Sequence, residues 1–137
     1  QTSPFGQMEK SFDLVELASA AGANGVYRGT VFQVTMLDKL LRTAISRPGF
    51  NLVEAMTPCH TQYGRKNRFK SPVDMYRWLK ENAVTLGKWK KLSAADREDK
   101  FPIGTFVEND TPGLEEMYGE LRAKLCQENG ETQGESS

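Results

Sequence analysis

Two side chains in this sequence can bind a soft metal or act as a nucleophile, and they stand together as Cys59-His60. His60 is the only histidine, and Cys126 is the only other cysteine. A Cys-His dipeptide does not match zinc spacing, because no second Cys or His lies nearby to complete four ligands. It is also a poor nucleophile–base pair, since adjacent residues leaving a strand end tend to point apart. Cys59 is therefore either a packed structural thiol, the commoner use of a lone cysteine, or one ligand of a metal centre completed from outside this chain. Cys126 falls late in an amphipathic helix, where packing is enough to explain it. Just past Cys59 comes a basic run, Arg65, Lys66, Arg68 and Lys70, interleaved with Tyr63 and Phe69. Such a run could hold nucleic-acid phosphates, or it could be a solvated loop or a contact to an acidic partner. The chain has 18 Lys and Arg against 18 Asp and Glu, so no overall basic field supports the first reading. No Gly-rich phosphate loop, Gly-x-Ser-x-Gly or His-Glu-x-x-His occurs.

What positions Cys59 is the most strand-like run of the chain, Phe50 to Met56. Pro58 cannot donate a ladder hydrogen bond and biases Thr57 towards extended geometry, so the strand ends there. The thiol then emerges past the carboxyl end of a strand expected to be buried, the place where ligands collect in open α/β sheets. Gly64 marks a turn.

The remaining elements follow in order. Ser11 reads as the N-cap of a helix to about Ala21, stopped at Gly22, with Leu14, Val15, Leu17, Ala18 and Ala21 on its buried face. Asn24-Gly25 is a turn signal, and Val26 to Thr30 a short strand. A second helix starts either from Thr35 with Asp38 or from Thr30 with Gln33 and ends at Pro48-Gly49. Leu37, Leu40, Leu41, Ala44 and Ile45 share one face of it, with Asp38 and Arg42 paired outside. Beyond the Cys59 loop, Ser71-Pro72-Val73-Asp74 opens a helix to about Ala83, turning Met75, Trp78 and Leu79 inward. Thr85 to Leu92, with Lys88, Lys90 and Lys91 around Trp89, reads as a surface connection. Ser93 to Asp96 is a further capping box opening a short polar helix to about Lys100. Ile103 to Val107 is a short strand weakened by Gly104. Thr111-Pro112 starts a last helix, with Leu114, Met117, Tyr118, Leu121 and Leu125 on one stripe. The alternation of helix and strand predicts an α/β fold with parallel strands, crossover helices and a C-terminal helical extension.

The 137 residues, 38% of them hydrophobic, suit one packed domain. No apolar run approaches the roughly 20 residues that span a bilayer, and two cysteines suggest a reducing compartment, so a cytoplasmic protein away from membranes is expected. The start, Gln1-Thr2-Ser3-Pro4-Phe5-Gly6, lacks an initiator Met and reads like the inside of a loop, as a piece of a longer protein would.

Taken together, several short motifs resemble the C-terminal half of the β subunit of 2-oxoacid:ferredoxin oxidoreductases. They are Ser11-Phe12-Asp13, Ala20 to Ala23, Gly49-Phe50, Val53-Glu54, Cys59-His60 and Gly64 to Asn67. A second group, Trp78-Leu79, Leu92-Ser93, Asp99 to Pro102, Gly104 and Asn109 to Thr111, is most similar to the 2-oxoglutarate branch. The resemblance covers Phe12 to about Leu125. It implies that residues 1–58 are the C-terminal half of a thiamine-diphosphate-binding α/β domain. Residues 59–126 would then be an extension carrying a cluster-ligand loop, and residues 127–137 a disordered tail.

The resemblance implies CoA-dependent oxidative decarboxylation of 2-oxoglutarate to succinyl-CoA, with thiamine diphosphate as the electron sink and electrons passing to ferredoxin. Thiamine diphosphate and Mg²⁺ would be held by a Gly-Asp-Gly motif that this sequence lacks, so no cofactor contact is carried over. A [4Fe-4S] cluster needs four thiolates, and Thr57-Pro58-Cys59-His60 matches the context of the fourth, making Cys59 the one metal-site residue implied here. The implied partners are an α subunit, further oxidoreductase subunits and ferredoxin, with no nucleic acid. The chain alone is expected to hold no cofactor and to be inactive. Pyruvate or branched-chain 2-oxoacid specificity remains open, as does a non-catalytic module using the basic loop.

Overall fold

The structure, a computed structural model, describes residues 11–67 and 69–132. Gln1 to Gly6, Arg68 and the last residues of the expected tail lie outside the described residues. The elements run α1 (Leu14–Ala20), β1 (Gly25–Thr30), α2 (Val34–Ser46), β2 (Asn51–Met56) and a π-helical turn (His60–Gly64). Then come α3 (Pro72–Asn82), β3 (Ala83–Thr85), α4 (Leu86–Trp89), a 3₁₀ turn (Ala95–Arg97), β4 (Phe101–Glu108) and α5 (Leu114–Thr132).

The fold is α/β, built on one four-stranded sheet in the order β2-β1-β4-β3. β1 pairs with β2 in parallel, from Gly25 opposite Asn51 to Thr30 opposite Met56, with α2 as the crossover. β3 and β4 are parallel too, joined through α4. The two parallel pairs meet at an antiparallel ladder between β1 and β4, so the sheet is mixed rather than parallel throughout. That ladder slips between Val26 and Tyr27, and nearby Gly104 takes a φ of +126°, where other residues are strained. β4 is thus longer than the run read from sequence, because pairing on both edges carries it to Phe101 and Glu108. Segments on both sides of residue 58 share this sheet.

All six residues of β1 are buried. Val15 and Ala18 of α1 pack with Ala23 and Val26, flanked by Leu52, Phe106 and Val107. Only part of each predicted helix face is covered. Val15 and Ala18 are buried in α1, whereas Leu14, Leu17 and Ala21 are exposed. In α2, Leu40 is buried, Leu37 and Ala44 are half-buried, and Leu41 and Ile45 are exposed.

Several helix starts differ in detail. The cap of α1 is Asp13, not Ser11: its carboxylate accepts from the N–H of Val15 at 2.9 Å and of Glu16 at 3.2 Å. α2 follows neither alternative: its N-cap is Gln33, with no side-chain cap, and the bond from the Gln33 N–H to the Thr30 hydroxyl at 3.3 Å belongs to the turn before the helix. Ser71 and Pro72 open α3 as expected, with Met75 and Leu79 buried and Trp78 half-buried. The supposed surface connection from Thr85 to Leu92 instead begins with the last residue of β3 and holds α4, and Ala83, the expected end of α3, starts that strand because three residues find ladder partners on β4. Ser93 and Asp96 do form reciprocal hydrogen bonds, but only a single 3₁₀ turn follows. α5 takes in the first residues of the stretch expected to be disordered. Among the described residues no helix is long and apolar enough to cross a membrane.

Candidate functional site

After Met56 the chain stays extended, and Cys59 sits at φ −106°, ψ 94°. It then closes a wide loop in which the Gly64 N–H donates to the Cys59 carbonyl at 2.9 Å. That bond spans five residues, one more than an α-turn, and such π-turns are frequent at functional sites. A second bond of the same span, from the Phe69 N–H to the Gly64 carbonyl, measures 3.0 Å. The turn is seated by Gly64, which is buried against α3. A Cβ on Gly64 would lie 2.8 Å from Met75 Sδ, so no larger residue fits without displacement. Asn67 ties the far side, its amide donating to the Tyr63 carbonyl at 2.8 Å.

The consequence falls on the thiol. The backbone N–H groups of Tyr63 and then Gln62, with the Thr61 hydroxyl, hold the Cys59 pKa below the usual thiol value. Thr61 Oγ1 lies 3.7 Å from Sγ. Donors aimed at a sulfur favour thiolate, the form that ligates metals. Cys59 is exposed, and β2, contrary to the expectation from sequence, is a half-buried edge strand rather than a buried one. The central place went to β1, whose two edges are both paired. His60 is exposed as well.

Among the described residues no group of three or more His, Cys, Asp or Glu is placed to hold a metal ion. Cys59 therefore has no co-ligands among the described residues and is not a metal site with them alone. Cys126 is exposed on α5, contrary to the expectation that packing accounts for it.

Beside Cys59 lies an apolar cavity of about 200 Å³, lined by Met56, Thr57, Pro58, Tyr63, Phe69, Met75, Trp78 and Leu79. The ring centroids of Tyr63 and Phe69 are 6.3 Å apart, those of Phe69 and Trp78 are 6.5 Å apart, and Trp78 and Phe101 are at 5.8 Å. This aromatic series joins the Cys59 loop to α3 and β4. Arg65, Lys66 and Lys70, which flank Phe69 in sequence, are exposed.

Two polar clusters escaped the sequence reading. Arg28, only 6% exposed in the middle of β1, bonds Glu54 at 2.6 Å and Asp13 at 2.7 Å, and its guanidinium lies 5.5 Å from the Phe106 ring centroid. The strand register sets Arg28 opposite Glu54, a pairing that no periodicity announces. Burial pushes the Asp13 carboxyl up, but the Glu16 N–H and the Arg28 charge outweigh it and leave the pKa below the ordinary value. Asn24 is the second. Its side-chain amide donates to the Thr111 carbonyl at 2.8 Å and hydroxyl at 2.7 Å, while its oxygen accepts from the Phe50 N–H at 3.0 Å. The Asn109 N–H donates to the Asn24 carbonyl at 2.7 Å. Gly49 (φ +80°) leaves room for this clasp, since a Cβ there would lie 2.2 Å from the Asn24 side-chain oxygen. The motifs Gly49-Phe50 and Asn109 to Thr111, far apart in sequence, therefore meet at one residue.

In sequence the chain is similar to known proteins. The chain is 38% identical over 124 residues to 2-oxoglutarate synthase subunit KorB of Methanothermobacter marburgensis, covering 90% of this chain and 44% of that protein. The subunit of the same name from Methanothermobacter thermautotrophicus is 38% identical over 125 residues, 91% of this chain and 41% of the relative. That from Methanocaldococcus jannaschii is 35% identical over 127 residues, 93% of this chain and 47% of the relative. The chain thus spans less than half the length of these relatives. No family model matches the chain. No solved structure matches it either.

Proposed function

We propose that this chain, a relative of the KorB subunits through nine-tenths of its length, supplies the C-terminal half of the β subunit of a 2-oxoglutarate:ferredoxin oxidoreductase. The complete enzyme would decarboxylate 2-oxoglutarate oxidatively with coenzyme A, giving succinyl-CoA, and pass the electrons to ferredoxin. The observation that carries this reading is the likeness to three 2-oxoglutarate synthase subunits across nearly the whole described chain. Pyruvate and branched-chain 2-oxoacids are the alternative substrates, and nothing in the site favours either.

Within that enzyme the residues of this chain have definable work. Cys59 is the proposed ligand to a [4Fe-4S] cluster, one thiolate of four. Such a cluster, when bound, accepts and releases single electrons. The amide donors of the π-turn support the assignment, because they favour the deprotonated sulfur and counter the negative charge of a thiolate-bound cluster. Exposure of Cys59 supports it too, since three further ligands must approach from outside this chain. Thiamine diphosphate and Mg²⁺ find no matching Gly-Asp-Gly signature here, so no step of their chemistry is assigned to these residues. The exposed bases Arg65, Lys66 and Lys70 are assigned to an acidic partner subunit or to ferredoxin, whose approach such charges would steer.

The test is reconstitution with the α subunit and the remainder of the β subunit, followed by ferredoxin reduction on a panel of 2-oxoacids with and without coenzyme A. A kcat/KM for 2-oxoglutarate on the order of tenfold or more above pyruvate is expected. Equal or better use of pyruvate would overturn the substrate assignment.

A further inference from the structure

The rest of the described molecule leaves α5 uncovered as far as Gln127, although its first turn lines a groove with Pro48, Gly49 and Phe50. Every residue from Leu114 to Gln127 is exposed, including Leu114 (69%), Tyr118 (60%), Leu121 (51%) and Leu125 (48%). Helices in proteins owe most of their stability to packing of an apolar face, and Gly119 in the middle of this one lowers its intrinsic stability further. With about 100° between successive residues, Leu114, Met117, Tyr118, Leu121 and Leu125 form a single stripe. Such a stripe needs a cover.

The charges along its flanks identify the cover. If Tyr118 and Leu125 take the a positions of a heptad and Leu114 and Leu121 the d positions, then Glu115 and Arg122 are successive e residues. Met117 and Lys124 are successive g residues. In an antiparallel helix pair a faces d, e faces e and g faces g. Two copies of α5 related by a twofold axis then set Leu114 of one against Leu125 of the other, and Tyr118 against Leu121. In the same register Glu115 of one copy meets Arg122 of the other, and symmetry repeats the pair. Parallel pairing would set Arg122 against Met117 and leave Glu115 without a base. The pattern is self-complementary only when the helices run in opposite directions.

We propose that α5 is a self-association element, packing antiparallel on α5 of a second copy of this chain through Leu114, Tyr118, Leu121 and Leu125, with Glu115 and Arg122 fixing the direction. This goes beyond the proposed function, which concerns the Cys59 end of the molecule and stands or falls separately.

Sedimentation velocity over roughly a hundredfold range of concentration tests it on the chain itself. The native chain should shift from monomer to dimer as concentration rises. Leu121→Glu, Glu115→Arg and Arg122→Glu should each remain monomeric, with near-ultraviolet circular dichroism matching that of the native chain at concentrations where it is monomeric, because all three positions are exposed. Mixing Glu115→Arg with Arg122→Glu should restore the dimer, since one variant then carries bases at both positions and the other acids. A native chain that stays monomeric, or a dimer indifferent to Arg122→Glu, would overturn the proposal. So would an equimolar mixture of the two charge variants that remains monomeric. Protection of α5 from hydrogen exchange in the complete β subunit that persists after Leu121→Glu abolishes self-association would assign the stripe to another occupant.

Discussion

Replacing Gly64 with Ala probes the link between the fold and the thiol. The added methyl would sit 2.8 Å from Met75 Sδ, about 1 Å inside ordinary carbon contact, and Met75 is only 3% exposed. Overpacking of this kind costs about 1–3 kcal/mol, and the flexible thioether places Met75 near the lower end. Against it stands the loss of glycine's freedom in the unfolded chain, which favours the Ala variant by roughly 0.4–1 kcal/mol. The net expectation is a loss of about 0–0.6 kcal/mol, small because the two effects nearly cancel. A cycle with Met75→Ala separates the two effects, because the backbone contribution is common to both backgrounds. In urea unfolding the cycle should show a coupling of about 1–3 kcal/mol, with Gly64→Ala neutral or stabilising once the Met75 side chain is shortened. The same substitution should spread the turn that aims the Tyr63 and Gln62 N–H groups at Cys59. In a Cys126→Ala background, alkylation of Cys59 should then need a higher pH than in the parent. Coupling no larger than the roughly 0.3–0.5 kcal/mol of ordinary additivity, together with an unchanged alkylation profile, would refute the reasoning.

Three further outcomes follow from the same geometry. In the parent protein, Cys59 should alkylate at lower pH when folded than in concentrated urea, since its amide donors favour the thiolate only in the folded state. Arg28→Met should cost about 2–3 kcal/mol, less than the 3–5 kcal/mol of a fully buried pair because the Asp13 and Glu54 side chains are 38% and 21% exposed. Asp13 is lowered when folded, so its contribution is present above the unfolded value of about 3.9 and lost as pH falls through the folded one; thermal melts of the variant should lose part of that acid sensitivity. Reversing Arg65 and Lys66 to Glu in the complete enzyme should slow ferredoxin reduction or weaken subunit assembly, most strongly at low salt, and equal rates and assembly at every salt concentration would reject the assigned contact.

Much of the fold was legible because its signals are local. Ser71 with Pro72 announces α3, Pro58 lies just past the end of β2 at Met56, and Gly22 (φ +83°) stops α1. What was not legible depended on residues distant in sequence. In β3, Ala83 read as the end of α3 and Thr85 as the start of a surface connection, because three residues carry no periodicity; they become a strand only by pairing with Phe101, Pro102 and Ile103. The antiparallel joint between β1 and β4 is likewise invisible to an alternation of helices and strands. Arg28 shows the limit most clearly, since its carboxylates come from Asp13 before it and Glu54 after it. At the site, the sequence singled out the thiol and the basic run but could not show how the sulfur is held. That depends on a turn one residue wider than an α-turn, which Gly64 permits by lying flat against Met75.

The central claim is that Cys59 ligates an iron–sulfur cluster in the complete β subunit and that Cys126 does not. Iron and acid-labile sulfide, measured per β subunit in anaerobically purified enzyme carrying Cys59→Ala or Cys126→Ala, test it most directly. The account predicts that Cys59→Ala lowers both and removes the broad visible absorbance of the cluster, while Cys126→Ala leaves them at the parent level. A Cys59→Ala enzyme with a full complement of iron and sulfide and an unchanged spectrum would contradict it.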